Sequence, residues 1–153
     1  MKILIGIGII LFGMSMGSII ASADNGDIPD SEDAQECEER TVQRFGNVIG
    51  LREEKIEEYK RLHAAIWPDV AQAVHDANIR GMSIYLHKLP DGKHYLFMYF
   101  EYVGEDLETD SKRMAENEAV KRWWVVTEAC QEQLPDHKPD EWWSAMEEVF
   151  HQE

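Results

Sequence analysis

The spacing of apolar residues changes repeatedly along residues 41–153, and these changes limit the folds open to the chain. Val42–Leu51 alternates apolar residues with smaller or polar ones at a period of two, which is typical of a half-buried strand. Glu53–Ala77 then repeats apolar residues every three or four positions, which predicts a helix with one buried face. Because the ring of Pro68 removes a backbone donor, we expect this helix to bend or restart near Trp67.

A hairpin is predicted next. Ile79–Leu89 and Lys93–Val103 are rich in β-branched and aromatic residues, and Pro90, Asp91 and Gly92 between them supply turn chemistry. Asp106–Val126 then has helical spacing and predicts a second helix, with a break expected around its Asn117.

The end of the domain predicts one loop and one strand. Gln131–Glu141 is polar and contains two prolines, a combination typical of a loop. Met146–His151 is predicted to form a short final strand.

This order of elements predicts an α+β fold of the ferredoxin-like class, a β-α-β-β-α-β sandwich with both helices on one face of an antiparallel sheet. The other face of the sheet then needs a cover. In a domain of this size the usual cover is a second copy of the chain, so we expect a homodimer that forms a dimeric α+β barrel.

Residues 1–23 have the features of an export signal. Lys2 provides a positive charge, Ile3–Ile20 carries none, and Ala21–Ala23 is a small-x-small cleavage site. We therefore expect an exported protein, periplasmic or secreted, whose mature chain starts at Asp24. The length of the apolar run leaves an uncleaved membrane anchor as the alternative, and only then is a membrane a partner.

Residues 24–40 hold eight acids against one arginine and almost no large apolar residue, so they are expected to form a disordered acidic spacer. Residues 41–153 are the predicted domain. Cys37 in the spacer and Cys130 in the domain are the two cysteines, and an oxidising compartment would permit a disulfide between them. The sequence leaves open whether they approach closely enough to pair.

The charge of the chain restricts its partners. Asp and Glu outnumber Lys and Arg by 30 to 15, so neither nucleic acid nor an anionic membrane surface is an expected partner. A small neutral ligand is compatible with this charge. The five Trp, five Tyr and five Phe either fill the core or, in part, stack against a sugar ring.

Two members of the predicted helical stripe are chemically unusual for a core. Tyr59 and His63 lie four residues apart, so they share one face of the helix and point toward the sheet. A buried phenol and a buried imidazole each need a hydrogen-bond partner. By pattern alone His63 is either a satisfied core histidine or a proton-transfer group, and its pairing with Tyr59 adds weight to the second interpretation.

Tyr85 raises the same question on a strand, where it shares a face with Ser83 and His87 that is polar enough to line a pocket. Trp123 and Trp124 on the second helix diverge by about 100°, so only one can point fully inward while the other closes the edge of that pocket. The alternative is a core tryptophan beside a surface tryptophan.

Other chemistries lack their motifs. The histidines and cysteines show no metal-ligand spacing, and the chain has no nucleophile elbow, phosphate loop or dinucleotide fingerprint. We therefore expect neither a metal nor a cofactor. A pocket of His, Tyr and Trp suits proton transfer on a neutral substrate.

These residues lie in motifs through which the chain resembles L-rhamnose mutarotases. The motifs follow the family's order and nearly its spacing: Y-x-x-x-H at Tyr59 and His63, I-W-P at 66–68, S-I-Y-L at 83–86, R-W-W at 122–124 and E-V-F at 148–150. Together they cover the domain from about Val42 to His151.

The resemblance implies a dimeric ferredoxin-like enzyme that interconverts the anomers of L-rhamnose. It implies that His63 is the proton donor. It also implies that four aromatic residues bind the sugar: Tyr59, Tyr85, Trp123 and Trp124.

Two departures from the family keep alternatives open. The typical family member is cytoplasmic and has no signal peptide, and Cys130–Trp143 is longer and richer in Trp than the corresponding segment. A related deoxy sugar such as L-fucose is therefore an alternative substrate. A non-catalytic sugar-binding dimer and a cofactor-independent monooxygenase are alternative functions on the same scaffold.

Overall fold

The structure, a computed structural model, describes residues 42–152. The elements in chain order are β1 (Gln43–Leu51), α1 (Ile56–Ala64), α2 (Pro68–Asp76), β2 (Ile79–Lys88), β3 (His94–Tyr102), α3 (Leu107–Glu116), α4 (Glu118–Glu128), β4 (Gln131–Glu132) and β5 (Ser144–Met146). A short 3-10 turn at Glu53–Lys55 lies between β1 and α1. The predicted signal peptide and acidic spacer lie outside the described residues.

The sheet is antiparallel, in the order β2-β3-β1-β4, with β5 also paired to β1. In its centre Ile49 of β1 faces Leu96 of β3, and Phe45 faces Phe100 with ring centroids 4.9 Å apart. These side chains belong to the clusters against which the helices pack. The predicted ferredoxin-like α+β arrangement is therefore confirmed.

Both predicted helix breaks are confirmed. Pro68 is the first residue of α2, and Trp67 before it has an extended backbone with ψ at 132°. Asn117 separates α3 from α4, and its side chain accepts from the backbone N–H of Ala119 at 2.9 Å and of Val120 at 3.2 Å. Each break follows from local chemistry: a missing amide hydrogen in one case and an N-cap in the other.

The fourth strand of the fold is interrupted. β4 and β5 both pair with β1, with Glu132 opposite Gly50 and Ser144 opposite Val48. In an unbroken strand, residue 134 would face Val48, but Ser144 does, so the chain between the two parts is ten residues longer than an unbroken strand needs. The departing segment contains two prolines, which lack the amide hydrogen that a sheet requires.

The prediction of a final strand at Met146–His151 is wrong beyond its first residue. β5 ends at Met146, and residues 147–152 have no regular structure. Two adjacent glutamates follow β5, and glutamate has a low strand propensity. The predicted loop at Gln131–Glu141 is confirmed apart from its first two residues, which form β4.

A buried carboxylate ties α3 to the sheet. Oδ2 of Asp110 accepts from the Tyr102 hydroxyl at 2.7 Å and from Nδ2 of Asn78 at 2.8 Å, while Oδ1 accepts from Arg113 at 2.7 Å. Hydrogen bonds from Asn78 and Tyr102 and the charge of Arg113 hold the pKa of Asp110 below its ordinary value, although burial acts in the opposite direction. The ionised carboxylate is therefore part of the folded core.

Cys130, just after α4, is a free and fully buried thiol whose Sγ lies 3.5 Å from the carbonyl oxygen of Val126. Burial raises the pKa of this thiol. Cys37, whose pairing with Cys130 the sequence leaves open, lies outside the described residues. Among residues 42–152, no helix has the length and apolar character needed to cross a membrane.

Candidate active site

The predicted pair on α1 is brought together by the helix. Tyr59 is buried and His63 half-buried, and their rings stack with centroids 4.1 Å apart and planes inclined by 30°. The spacing of four residues puts both side chains on the face of α1 that meets the core. Tyr59 packs with Ile49 and Leu96 of the sheet.

The tautomer of His63 is fixed by the helix itself. Nδ1 lies 3.1 Å from the backbone oxygen of Tyr59, and a carbonyl oxygen only accepts hydrogen bonds, so Nδ1 carries the proton. Nε2 is then the atom with the free lone pair. Among the residues that the structure describes, none hydrogen-bonds Nε2.

Burial shifts both groups toward their neutral forms. It lowers the pKa of His63, and the hydrogen bond to the Tyr59 carbonyl only partly opposes this shift. It raises the pKa of the Tyr59 phenol, with a hydrogen bond from the Gln131 side chain acting the other way. At neutral pH, Nε2 of His63 is therefore a proton acceptor beside a protonated phenol.

Tryptophan side chains form one wall beside His63. The ring of Trp123 meets the imidazole edge-on with centroids 5.2 Å apart, and the ring of Trp67 meets Trp123 in the same way at 5.3 Å. Trp123 is buried and Trp124 is half-buried, which confirms that only one of the pair points fully inward. Sequence reasoning did not assign Trp67 to the site, although its position before Pro68 marked the helix restart that holds it there.

Tyr85 is not brought to this group of residues. It pairs with Phe97, whereas its neighbour Ile84 faces Met98 and joins the cluster beneath the helices. Tyr85 therefore lies on the opposite face of the sheet, with 64% of its surface exposed. The expectation that Trp123 and Trp124 close a pocket over Tyr85 is wrong, because the sheet separates them. Its assignment as a sugar-binding residue stays a prediction.

A β-bulge explains the position of Tyr85. The register of β2 against β3 shifts between Arg80 and Ser83, where Gly81 has a left-handed backbone with φ at 57°. Ile79 before the bulge faces Tyr102 and is buried beneath the helices. The extra residue reverses the alternation after it, so Tyr85 points to the other side.

Two residues behind Tyr59 were missed by sequence reasoning. Gln131 is 4% exposed, and its Oε1 accepts from the indole N–H of Trp142 at 2.6 Å. The Gln131 side chain also lowers the pKa of the Tyr59 phenol, against the larger effect of burial, as a hydrogen-bond donor does. No sequence signal pointed to Gln131, because a polar residue at the start of a polar loop is ordinarily exposed.

A cavity of about 270 Å³ lies apart from this group, and none of the five predicted site residues lines it. It is bordered by the turn after β2 and the segment after β4, and the charged side chains on its wall include Arg52, Lys93 and Glu132. Within residues 42–152, no cluster of three or more His, Cys, Asp or Glu side chains could hold a metal ion.

The sequence and the fold match known proteins. The family model of L-rhamnose mutarotase matches residues 44–152. An L-rhamnose mutarotase of Lactiplantibacillus plantarum is 30% identical over 108 residues, covering 71% of this chain and 96% of that protein. One from Clostridium beijerinckii is 37% identical over 89 residues, covering 58% of this chain and 80% of that protein.

A solved structure also has a similar fold. The crystal structure of an L-rhamnose mutarotase from Formosa agariphila has a TM-score of 0.53 and 26% sequence identity, and the match covers 72% of this chain and 99% of that one. The match to the family model covers the elements from β1 to β5, apart from the first residue of β1. The chain therefore belongs to the L-rhamnose mutarotase family.

Proposed function

We propose that this chain is an isomerase that interconverts the α and β anomers of L-rhamnose by general acid–base catalysis, with His63 as the proton-transfer group. One observation carries the proposal: Nδ1 of His63 is committed to the Tyr59 carbonyl, and Nε2 has no partner within residues 42–152. The relatives, named L-rhamnose mutarotases, support the choice of substrate.

Mutarotation requires the ring oxygen to gain a proton while the hydroxyl on C1 loses one. The ring then opens to the aldehyde, the bond between C1 and C2 rotates, and the ring closes on the other face. Nε2 of the neutral His63 imidazole takes the proton from the C1 hydroxyl, and the imidazolium so formed gives it to the ring oxygen. Ring closure on the other face runs the same two transfers in reverse. Burial lowers the pKa of His63, so its protonated form is a stronger acid than a free imidazolium.

The aromatic residues beside Nε2 suit the binding of a neutral sugar. We assign the Tyr59 hydroxyl to a hydrogen bond with the sugar, and Trp123 and Trp124 to contacts with its C–H groups. A contact between Tyr85 and the sugar remains a prediction, and its side chain lies across the sheet from His63.

The test is anomer exchange in L-rhamnose, followed by magnetisation transfer between the two C1 protons in NMR. We expect the purified protein to exchange the anomers faster than buffer alone. L-fucose measured in parallel separates the two candidate substrates. Exchange at the buffer rate for both sugars, despite binding of either, would support the non-catalytic alternative and contradict the proposal.

We also propose that a second copy of the chain covers the sheet face turned away from the helices. Tyr85, Phe97 and Tyr99 lie on this face and belong to none of the clusters packed by the helices. An aromatic sheet surface left in water is unfavourable, and a symmetric dimer removes it from solvent.

The parent protein is expected to sediment at about twice its monomer mass, and Phe97→Glu is expected to yield monomers because a charge is buried at the interface. Val125→Glu is the matched control, since Val125 is an apolar residue on α4 that is 70% exposed. A parent protein that is monomeric at micromolar concentration would contradict the dimer.

Export is proposed from the sequence of the first 23 residues. Three features support cleavage before Asp24: the charge of Lys2, the uncharged run Ile3–Ile20 and the small-x-small site Ala21–Ala23. N-terminal sequencing of protein from a native-like host is expected to begin at Asp24. Intact Met1 in a membrane fraction would favour the anchor instead, and a cytoplasmic product would contradict both.

A further inference from the structure

Gln131 is a buried polar residue that has no role in the proton transfer proposed for His63. Its side chain is 4% exposed, and its backbone is held by pairing with Leu51 and by a hydrogen bond from Nε of Arg52 to its carbonyl oxygen at 3.2 Å. Its neighbour Cys130 is fully buried. A carboxamide in such surroundings is unfavourable unless its polar atoms are paired.

The orientation of the Gln131 carboxamide is determined by Trp142. An indole N–H only donates, and it lies 2.6 Å from Oε1, so this atom is the oxygen and not the nitrogen. The amide nitrogen Nε2 then points to the other side, where it can only donate. We assign the Tyr59 hydroxyl as its partner, because the Gln131 side chain lowers the pKa of that phenol, as a donor to its oxygen does, and Trp142 packs against the cluster that contains Tyr59.

The direction of this chain of hydrogen bonds fixes the role of the Tyr59 hydroxyl. Because Nε2 of Gln131 donates to the phenol oxygen, the hydroxyl hydrogen of Tyr59 is left to donate elsewhere. The ring that carries this hydroxyl stacks on His63. Trp142 thus donates to Gln131, Gln131 donates to Tyr59, and the Tyr59 hydroxyl is left to donate beside the imidazole. Each hydrogen bond in this series polarises the next.

We propose that Gln131 is a positioning residue which, held by Trp142, directs the Tyr59 hydroxyl to donate to a sugar oxygen beside His63. This inference rests on the proposed function, because it assumes a sugar at Nε2 of His63. Trp142 belongs to the segment that leaves the sheet between β4 and β5, so that segment acquires a role in orienting the substrate.

The deciding variant is Gln131→Glu, which keeps the shape of the side chain and makes its donor capacity depend on pH. The ionised carboxyl only accepts, so the Tyr59 hydroxyl turns back to donate to it and is lost to the sugar. Below the pKa of the introduced carboxyl, the protonated group donates again. We expect anomer exchange relative to the parent to fall about 10-fold at high pH and to recover as the pH is lowered.

The exchange rate of the variant is divided by that of the parent at each pH. This ratio removes the effect of His63 titration, which both proteins share. Gln131→Met is the matched control, because it fills the same volume with no hydrogen bond and is expected to lose activity equally at every pH. In a Tyr59→Phe background, Gln131→Glu is expected to cause no further pH-dependent loss. If Gln131→Glu and Gln131→Met lower the exchange rate equally at every pH, Gln131 has only a structural role and the proposal is overturned.

A measurement without sugar separates this inference from the proposed function. The pKa of the carboxyl introduced by Gln131→Glu, read by ¹³C NMR, is expected to be lower with Tyr59 present than in the Tyr59→Phe background, because the hydroxyl stabilises the carboxylate. A carboxyl pKa that is insensitive to Tyr59 overturns the inference whatever the activity. A parent protein that exchanges no anomers overturns the proposed function instead.

Discussion

His63→Ala is expected to slow anomer exchange by about two to four orders of magnitude, the usual contribution of a positioned acid–base group. The physical reason is that no neighbouring side chain can replace Nε2. The phenol of Tyr59 has its pKa raised by burial and is a poor acid, and the indole of Trp123 only donates. Exchange is measured by NMR magnetisation transfer in L-rhamnose, with circular dichroism to verify folding.

The matched control for this variant is His75→Ala, since the His75 side chain is 63% exposed and lies on the neighbouring helix α2. It is expected to leave the exchange rate unchanged. Tyr59→Phe keeps the ring and removes only the hydroxyl, so we expect a smaller effect, about 0.5–1.5 kcal/mol for one neutral hydrogen bond. If folded His63→Ala exchanges anomers as fast as the parent, His63 is a core histidine and the mechanism is wrong.

Asp110→Ala is expected to lower the free energy of unfolding by about 3 kcal/mol, because it leaves one buried and one half-buried donor without an acceptor. The hydroxyl of Tyr102, which is fully buried, and the amide of Asn78 lose the same carboxylate oxygen. The contribution of Arg113 is small, since that side chain is 59% exposed and screened by solvent. Urea unfolding of the parent and the variant measures the difference.

The same carboxylate predicts how stability changes with pH. The folded pKa of Asp110 lies below its ordinary value of 3.8, so its contribution is fully present above that value. The contribution decreases as the pH falls from 3.8 toward the lower folded pKa, because protonation then opposes folding. Asp110→Ala is expected to flatten this dependence, whereas Asp136→Ala, at an exposed aspartate, is expected to keep it.

The α1 site illustrates how much of the function could be read from the sequence. Four residues of separation on a helix were enough to put Tyr59 and His63 on one face, and the stacked rings agree with that prediction. The divergence of adjacent helical positions likewise predicted one buried and one partly exposed tryptophan at 123 and 124. These relations depend only on helix geometry, so they hold whatever the helix packs against.

Element boundaries were predictable where a single residue determines them. Pro68 ends α1 and starts α2 because it has no amide hydrogen, and Asn117 starts α4 because its side chain caps the helix. The hairpin of β2 and β3 follows from its turn residues in the same way. In each case the cause lies within a few residues of the effect.

The tertiary structure alone decided which face of β2 the helices cover. Alternation grouped Tyr85 with Ser83 and His87 correctly, but the bulge at Gly81 reverses the alternation relative to Ile79 and turns Tyr85 away from His63. Which side of a strand is buried depends on its register with the neighbouring strand, and sequence periodicity does not contain that register.

The contact between Gln131 and Trp142 also arose only from the fold. The residues are 11 apart, and the loop that joins them leaves the sheet after β4 and returns at β5. The sequence determined the helical pair that carries the proposed proton transfer, because local geometry fixes it. The tertiary structure decided that Gln131 and Trp142 lie next to each other, because contacts across a loop depend on where the ends of the loop are held in the sheet.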